Sequence, residues 1–348
     1  MSALNVVLPL GSSILSFAFA ALVLDQWWQR RHSFQLVWAI GLLWYGISAG
    51  AEFLGGAFGW GEPLYRTWYL IGAFFVAAYL GAGTIYLLAK SRFGYFAGVT
   101  VFIGGLLSLL FSQSARYPGA GTAGRVAFVI AVLGAIAIIA ATARRRSLAP
   151  HIAMTVLVIG SLGVAYLVLT APLAVPGWAV DPNTHVPVGS AFPGYVRVLT
   201  GPFNIAGALC LVFGAIYSAY IYMPKKRVVA ARLGVLAVAV NFIASLPGAT
   251  RALVQGKLNS RVPATILIAI GAFIPTLTDS LNRFGITELF QLGKLLGVIF
   301  LFAGFLVSIE VFREIRVPFT SIRLATGRRE RPALGATSDE STEGAGAG

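Results

Sequence analysis

Charge is what this 348-residue chain has least of, since Asp, Glu, Lys and Arg together make up 11% of it. A soluble domain carries about 25% charged residues to solvate its exterior. With 57% hydrophobic residues and a mean hydropathy of +0.82, the chain cannot present a polar surface to water on every side. A soluble globular fold is therefore excluded. Cysteine is nearly missing as well: Cys210 is alone and lies in an apolar run, which excludes a disulfide framework and a thiolate metal centre. It reads as a small packing residue. The only histidines are His32, His151 and His185, all in loops or at helix ends. A b-type haem between two helices needs two imidazoles at membrane depth, and a zinc site needs three or four ligands. No cofactor, metal site or catalytic residue is expected.

What the chain does have is long apolar runs, so it reads as an all-α, polytopic helical membrane protein. A spanning helix needs about 20 mostly apolar residues, and seven runs meet that length before Tyr222: roughly Leu4 to Leu24, Phe34 to Phe58, Thr67 to Ala89, Gly94 to Ser112, Val126 to Ala143, Ile152 to Leu173 and Val198 to Tyr222. The first is not a cleavable signal, having no basic residue ahead of it and Arg30 and Arg31 behind. The loops after the odd-numbered runs hold eleven Lys and Arg, the opposite loops only Arg66, Arg116, Arg125 and Arg197. By the positive-inside rule the eleven face the cytoplasm and the N-terminus lies outside. The net charge of +14 is thus read as an orientation signal that attracts anionic lipid headgroups, not as a nucleic-acid surface. The expected partners are the bilayer and those headgroups, with homo-oligomers through glycine-rich helix faces such as Gly46 with Gly50, Gly94 with Gly98, and Gly293 with Gly297.

Three apolar stretches follow Tyr222: roughly Ala230 to Leu246, Ala264 to Thr278 and Phe290 to Val311. If all three cross, ten spans leave the basic tail outside, against the charge rule. The first is short, interrupted by Asn241, stopped by Pro247 and flanked by Lys and Arg, so it reads as re-entrant or interfacial. That gives nine spans and a cytoplasmic C-terminus. The expected units are residues 1–112, a first helical repeat with a linker helix; 113–227, a second repeat; 228–262, the re-entrant or interfacial segment; 263–316, a C-terminal hairpin; and 317–348, a basic and then disordered tail.

The repeat rests on self-comparison. Ile40-Gly41 and Gly59-Trp60 recur as Ile159-Gly160 and Gly177-Trp178, while Arg66, Gly83, Ile85 and Tyr86 recur as Arg197, Gly214, Ile216 and Tyr217. Both copies run the same way under the charge count, which makes the repeat parallel. A fainter third copy appears as Ala269-Ile270-Gly271 against Ala39-Ile40-Gly41.

The run from Tyr65 to Ala73, continued by Leu80 to Leu88, resembles a pattern in uncharacterised bacterial polytopic membrane proteins, and Gly297 to Phe300 with Ala303 to Leu306 resembles their closing hairpin. The resemblance implies a bacterial inner-membrane location and carries over no activity. The plan of two parallel three-helix units around a linker is also similar to that of SWEET-type sugar carriers, although the proline-glutamine motif is missing and the C-terminal hairpin is extra.

Few residues carry chemistry. Glu52 is the best placed ionisable group, near the outer end of the second run, and Arg66 starts the third run on the same side. They read as an interfacial ion pair or as ligand contacts. Asp279 and Lys294 lie near the outer ends of the final hairpin, where Lys294 can snorkel to the headgroups. The membrane centre is left without charge, which argues against a proton-driven pump. Trp44, Tyr45, Tyr65, Trp68 and Tyr69 either pack and anchor the helices or line a cavity, with Arg197 as a further ligand contact. Gly46-Ile47-Ser48-Ala49-Gly50 matches the nucleophile-elbow pattern but lies within a spanning run, where that strand-turn-helix motif has no place. The loop from Ala174 to Arg197, with four prolines and several aromatics, reads as an ordered cap on the membrane surface. Three functions fit: a carrier of a small neutral or amphipathic solute, a non-catalytic sensor or scaffold acting through a partner chain, and a lipid-acting membrane enzyme. The first is favoured.

Overall fold

The computed structural model describes residues 4–230, 234–255, 258–259, 261–307, 315–316 and 323–324. It is built from helices because a backbone N–H or C=O left unpaired in hydrocarbon costs several kcal/mol, and a helix pairs them within one segment. Among the described residues, nine helices are long and apolar enough to cross a membrane: α1 Leu4–Arg30, α2 Ser33–Phe58, α3 Glu62–Leu87, α4 Phe93–Ser112, α5 Gly121–Arg144, α6 Arg146–Thr170, α7 Gly194–Tyr222, α9 Arg261–Arg283 and α10 Phe290–Val307. Helix α8, Gly234–Val254, stands outside that set. Its Asn241 is turned to the preceding chain, where it accepts from the Val228 and Val229 N–H groups and donates to the Val229 carbonyl. The interruption seen in the sequence is thus a tie between α8 and its own connector. Two antiparallel residue pairs, Ile315 with Leu324 and Arg316 with Arg323, form the only ladder among the described residues. The rest of the expected tail lies outside the described residues.

The chain is a multi-pass membrane protein by this span set, and its outer surface fits that solvent. Val129, Ile130, Leu133 and Ile136 on α5, and Ile159, Leu162, Tyr166 and Leu169 on α6, are all exposed. Side chains of that kind are stable against lipid tails and not against water.

At the centre, α3 crosses α7 so closely that no side chain fits between them. A Cβ on Gly81 would land on the Gly207 carbonyl oxygen, and one on Gly207 would land on that of Ala77. Helix α2 packs on α3, α9 packs on α7, and α10 lies against α9 and α1. The three GxxxG pairs singled out above are used within the chain: Gly46 and Gly50 face Phe17 and Ser13 of α1, Gly94 and Gly98 face Thr142 and Ile139 of α5, and Gly293 and Gly297 face Thr278 and Pro275 of α9.

Three helix irregularities fall at one level. Residues Ile71–Phe75 of α3 and Gly201–Ile205 of α7 are π-helical, and Pro275 within α9 removes the N–H that would pair with the Gly271 carbonyl. One end of the bundle carries the α2–α3, α4–α5, α6–α7 and α9–α10 connections and is termed the long-loop face. The other carries Arg30, Arg31, Lys90, Arg92 and Arg144 to Arg146 and is termed the basic face.

The long α6–α7 connection is an ordered cap. Val180 bridges Pro187, the Ala174 N–H donates to the Ala191 carbonyl, and Phe192 stacks on Tyr69 with ring centroids 4.3 Å apart. The Asp181 carboxylate accepts from the Thr184 and Asn183 N–H groups and the Thr184 hydroxyl. Those bonds, led by that of the Thr184 backbone, hold its carboxyl below the usual carboxylate range. The turn is therefore intact at neutral pH and loosens only as pH falls through that lowered value.

The α3–α7 crossing makes a test. Gly207→Ala should lower the stability of the detergent-solubilised protein by about 1–3 kcal/mol, because the added methyl meets backbone that cannot yield. Gly163→Ala, whose Cβ meets nothing within 4 Å, should cost nothing. Equal thermal unfolding of the two variants would contradict the close crossing.

Candidate functional site

The ionisable groups that the sequence places near the outer helix ends come together inside the protein. Glu52 of α2, its side chain 0% exposed, pairs through Oε1 with Lys294 Nζ of α10, which is 9% exposed. Trp68 Nε1 of α3 donates to the same oxygen at 2.6 Å, and the Tyr45 hydroxyl donates to the Lys294 carbonyl at 2.7 Å. The ammonium also lies 4.9 Å from the centre of the Phe290 ring. Asp279 of α9 is near enough to interact electrostatically with Lys294 and Arg283. Glu52 Oε2 and Asp279 Oδ1 are both buried without a hydrogen-bond partner.

Glu52, Trp68, Asp279 and Lys294 each sit four to six positions from their helix ends, roughly 6–9 Å below the long-loop face at the helical rise. Depth alone would allow Lys294 to snorkel. It does not, because its position on α10 points it at α2 and a carboxylate, which satisfies the charge more completely than a reach past Phe290 to the headgroups.

Arg66 corrects a second expectation. It does not pair with Glu52: its guanidinium donates to Glu62 Oε1, four residues back, at 2.6 and 2.8 Å, and to the carbonyls of Val168 and Ala171. Those carbonyls are at the C-terminal end of α6, where the last turn has no N–H of its own to offer them. Arg66 therefore caps α6 and ties it to the start of α3.

Two cavities share a wall residue, Leu211, within the bundle. The first, about 400 Å³, opens at the long-loop face between α2, α3, α7, α9 and α10 under the cap. Arg116, Arg197 and Arg283 stand near its mouth, Asp279 and Lys294 lower down, and Val76, Leu80, Leu211 and Leu301 deeper still. All three irregular backbone segments reach its wall, through Gly72 and Ala73, Asn204, and Gly271 with Pro275. Non-helical backbone is tolerated at membrane depth only when buried in protein or lining a cavity, and π-segments recur at functional sites. The second cavity, about 360 Å³, opens at the basic face and is bordered by Arg30, His32, Trp38, Ser218, Tyr222 and Arg261. Leu211 borders both. Around it Leu80, Leu301 and Phe305 form an apolar septum, braced by Trp38, whose Nε1 donates to the Leu80 carbonyl at 3.1 Å.

Of the eight residues singled out in the sequence, Tyr45, Trp68, Tyr69 and Arg197 border the long-loop cavity. Glu52 lies behind that wall, bonded to Trp68 and Lys294. Tyr65 is fully buried, and its hydroxyl donates to the Val188 carbonyl of the cap. Trp44 packs on Phe75 and Tyr79. Arg116, Asp279, Arg283 and Lys294 were not singled out as ligand contacts, because nothing local in the sequence brings loops and helix ends 80 or more positions apart to one mouth. Among the described residues no group of three or more His, Cys, Asp and Glu could hold a metal ion. No protein-family model, curated protein or solved structure matches the chain.

Removing one partner of a buried ion pair leaves the other uncompensated at a cost of about 3–5 kcal/mol, whereas removing both is often near neutral. Glu52→Gln should accordingly destabilise the solubilised protein by about 3 kcal/mol, and Glu52→Gln with Lys294→Met should recover most of that in thermal unfolding. Additive losses in the double variant would contradict a coupled pair.

Proposed function

We propose that the protein is a membrane carrier of a small amphipathic solute, which passes along the axis of the two cavities. The observation that carries this reading is the shared septum. Two cavities of similar size face opposite ends of the bundle and meet at Leu211, the form expected of a path closed at its centre. A channel would show a continuous lumen, and a closed sensor bundle would need neither cavity.

The irregular backbone adds support, since discontinuous helices at the binding level are typical of secondary carriers. So does the internal repeat. The π-segments of α3 and α7 begin at Ile71 and Gly201, an offset of 130 that lies within one residue of the offset between Arg66 and Arg197. In the packing, however, the main partner of α7 is α9, with Ala269-Ile270-Gly271, and not α6, whose Ile159-Gly160 is the counterpart of Ile40-Gly41 in the repeat. In this reading the α2–α3 and α9–α7 pairs rock about the Gly81 and Gly207 crossing, and the basic face is cytoplasmic. The lipid-enzyme alternative draws less support, because Arg66 and Tyr65 are turned to α6 and the cap instead of converging with Glu52.

A Leu211→Cys substitution in a Cys210→Ser background tests the proposal. If the septum opens alternately to each side, a membrane-impermeant maleimide should label that cysteine when applied to either side of sealed vesicles. Labelling from one side only, or from neither, would overturn the carrier.

A further inference from the structure

We infer that the long-loop cavity takes a small monoanion with an apolar body, a carboxylate being the simplest, held at its head by Arg116, Arg197 and Arg283. The inference deepens the carrier reading and rests on it for passage, though not for binding.

The three arginines come from three separate segments: Arg116 from the α4–α5 connection, Arg197 from the first turn of α7 and Arg283 from the last residue of α9. A short chain of hydrogen bonds joins them. Arg116 Nη2 donates to the Arg283 carbonyl at 2.7 Å, Arg283 Nη1 donates to Thr200 Oγ1 at 2.9 Å, and Thr200 Oγ1 donates to the Arg197 carbonyl at 2.9 Å. Two of the guanidiniums rest on rings, Arg197 on Tyr117 at 4.8 Å and Arg116 on Phe284 at 5.4 Å from the centroid. Stacking leaves the N–H edges free.

A guanidinium has five donors, and each of these three uses at most one, to a neutral acceptor. None has a carboxylate of the described residues within 4.0 Å, in contrast to Arg66 and Lys294. Three like charges that no described carboxylate contacts directly repel one another, and an anion that accepts their N–H groups relieves the repulsion with charge-assisted bonds. Guanidinium edges match the planar oxygens of a carboxylate.

The charge count limits the anion. Arg116, Arg197, Arg283 and Lys294 stand against Asp181, Asp279 and the Glu52 that pairs with Lys294, four positive against three negative. One negative charge balances that formal excess. The deeper wall sets the rest of the ligand. Val76, Ala77, Leu80, Ala208, Leu211 and Leu301 are all apolar, and α7 runs roughly 20 Å between Arg197 and Leu211 at the helical rise. The ligand therefore has its charge at the mouth and its apolar body toward the septum. A volume of about 400 Å³ lies within the usual range for small-molecule sites.

Octanoate, octanol and octylammonium share a tail and differ only in the head. Titration calorimetry on the full chain in lipid nanodiscs should show octanoate binding at least about ten-fold more tightly than octanol, the scale of one or two charge-assisted bonds. Octylammonium should not bind saturably. Arg197→Gln and Arg283→Gln should each weaken octanoate about ten-fold and leave octanol unchanged, while Arg125→Gln, on the exposed side of α5, should change neither. If an arginine variant also loses octanol binding, its cavity has collapsed, and the exposed Arg116→Gln decides instead. Equal affinity for octanoate and octanol, or full octanoate affinity in the arginine variants, overturns the anion site. Octanoate that binds but crosses proteoliposomes no faster than protein-free liposomes leaves the anion site standing and removes the carrier. Equal affinity for octanol together with octanoate passage that exceeds that of protein-free liposomes does the reverse.

Discussion

The pairing of Glu52 with Lys294 constrains the rest of this structure. An ion pair withdrawn from water is tolerated only when its geometry is good and its remaining polar atoms find partners. Here that condition is met at one oxygen only: Glu52 Oε1 of α2 is shared by the Lys294 ammonium of α10 and the indole N–H of Trp68 of α3, the Tyr45 hydroxyl of α2 holds the Lys294 carbonyl, and Glu52 Oε2 is left without a partner. Three helices are thereby held at one point, one to two turns below the long-loop face. Because α10 is also packed on α9, the pair fixes the distance between the α2–α3 unit and the C-terminal hairpin. The long-loop cavity is the space that this spacing leaves.

The opposite contact limits how far that space extends. At the Gly81 and Gly207 crossing, α3 and α7 meet backbone to backbone, so the bundle is tightest at its centre and wider toward each face. Leucines and Phe305 fill the narrow zone and separate the two cavities. A close crossing between two wider ends is mechanically a pivot. The π-segments and Pro275 place weakened helical hydrogen bonding beside the long-loop cavity, where a change of shape costs least.

Much of the fold was legible beforehand because the bilayer is a demanding solvent. Hydrocarbon thickness sets the length of each span, and every apolar run from Leu4 to Tyr222 is found as a helix. The stretch after Tyr222 was legible in part: Asn241 does turn away to the connector, but Pro247 does not stop the helix, which runs on to Val254. The candidate site was legible only in part. Aromatics on α2 and α3 stood out by type, and Tyr45, Trp68 and Tyr69 do border a cavity, but the chain distance of 242 residues between Glu52 and Lys294 carries no local signal. The same gap misled the pairing of Arg66, whose proximity to Glu52 in sequence outweighed the unsatisfied carbonyls of a helix more than 100 residues away.

The scarcity of charge determined by itself that this chain spans a membrane and how many helices are long enough to do so, because solvation by lipid acts on each segment separately. It could not say which way the few charges point. Depth along a helix follows from residue number, whereas direction around the helix matters only once a neighbour is in place. The tertiary structure alone decided that Lys294 turns inward to Glu52, that Arg66 caps α6, and that Arg116, Arg197 and Arg283 share one mouth. Those are contacts between segments, and their energies depend on which helices meet.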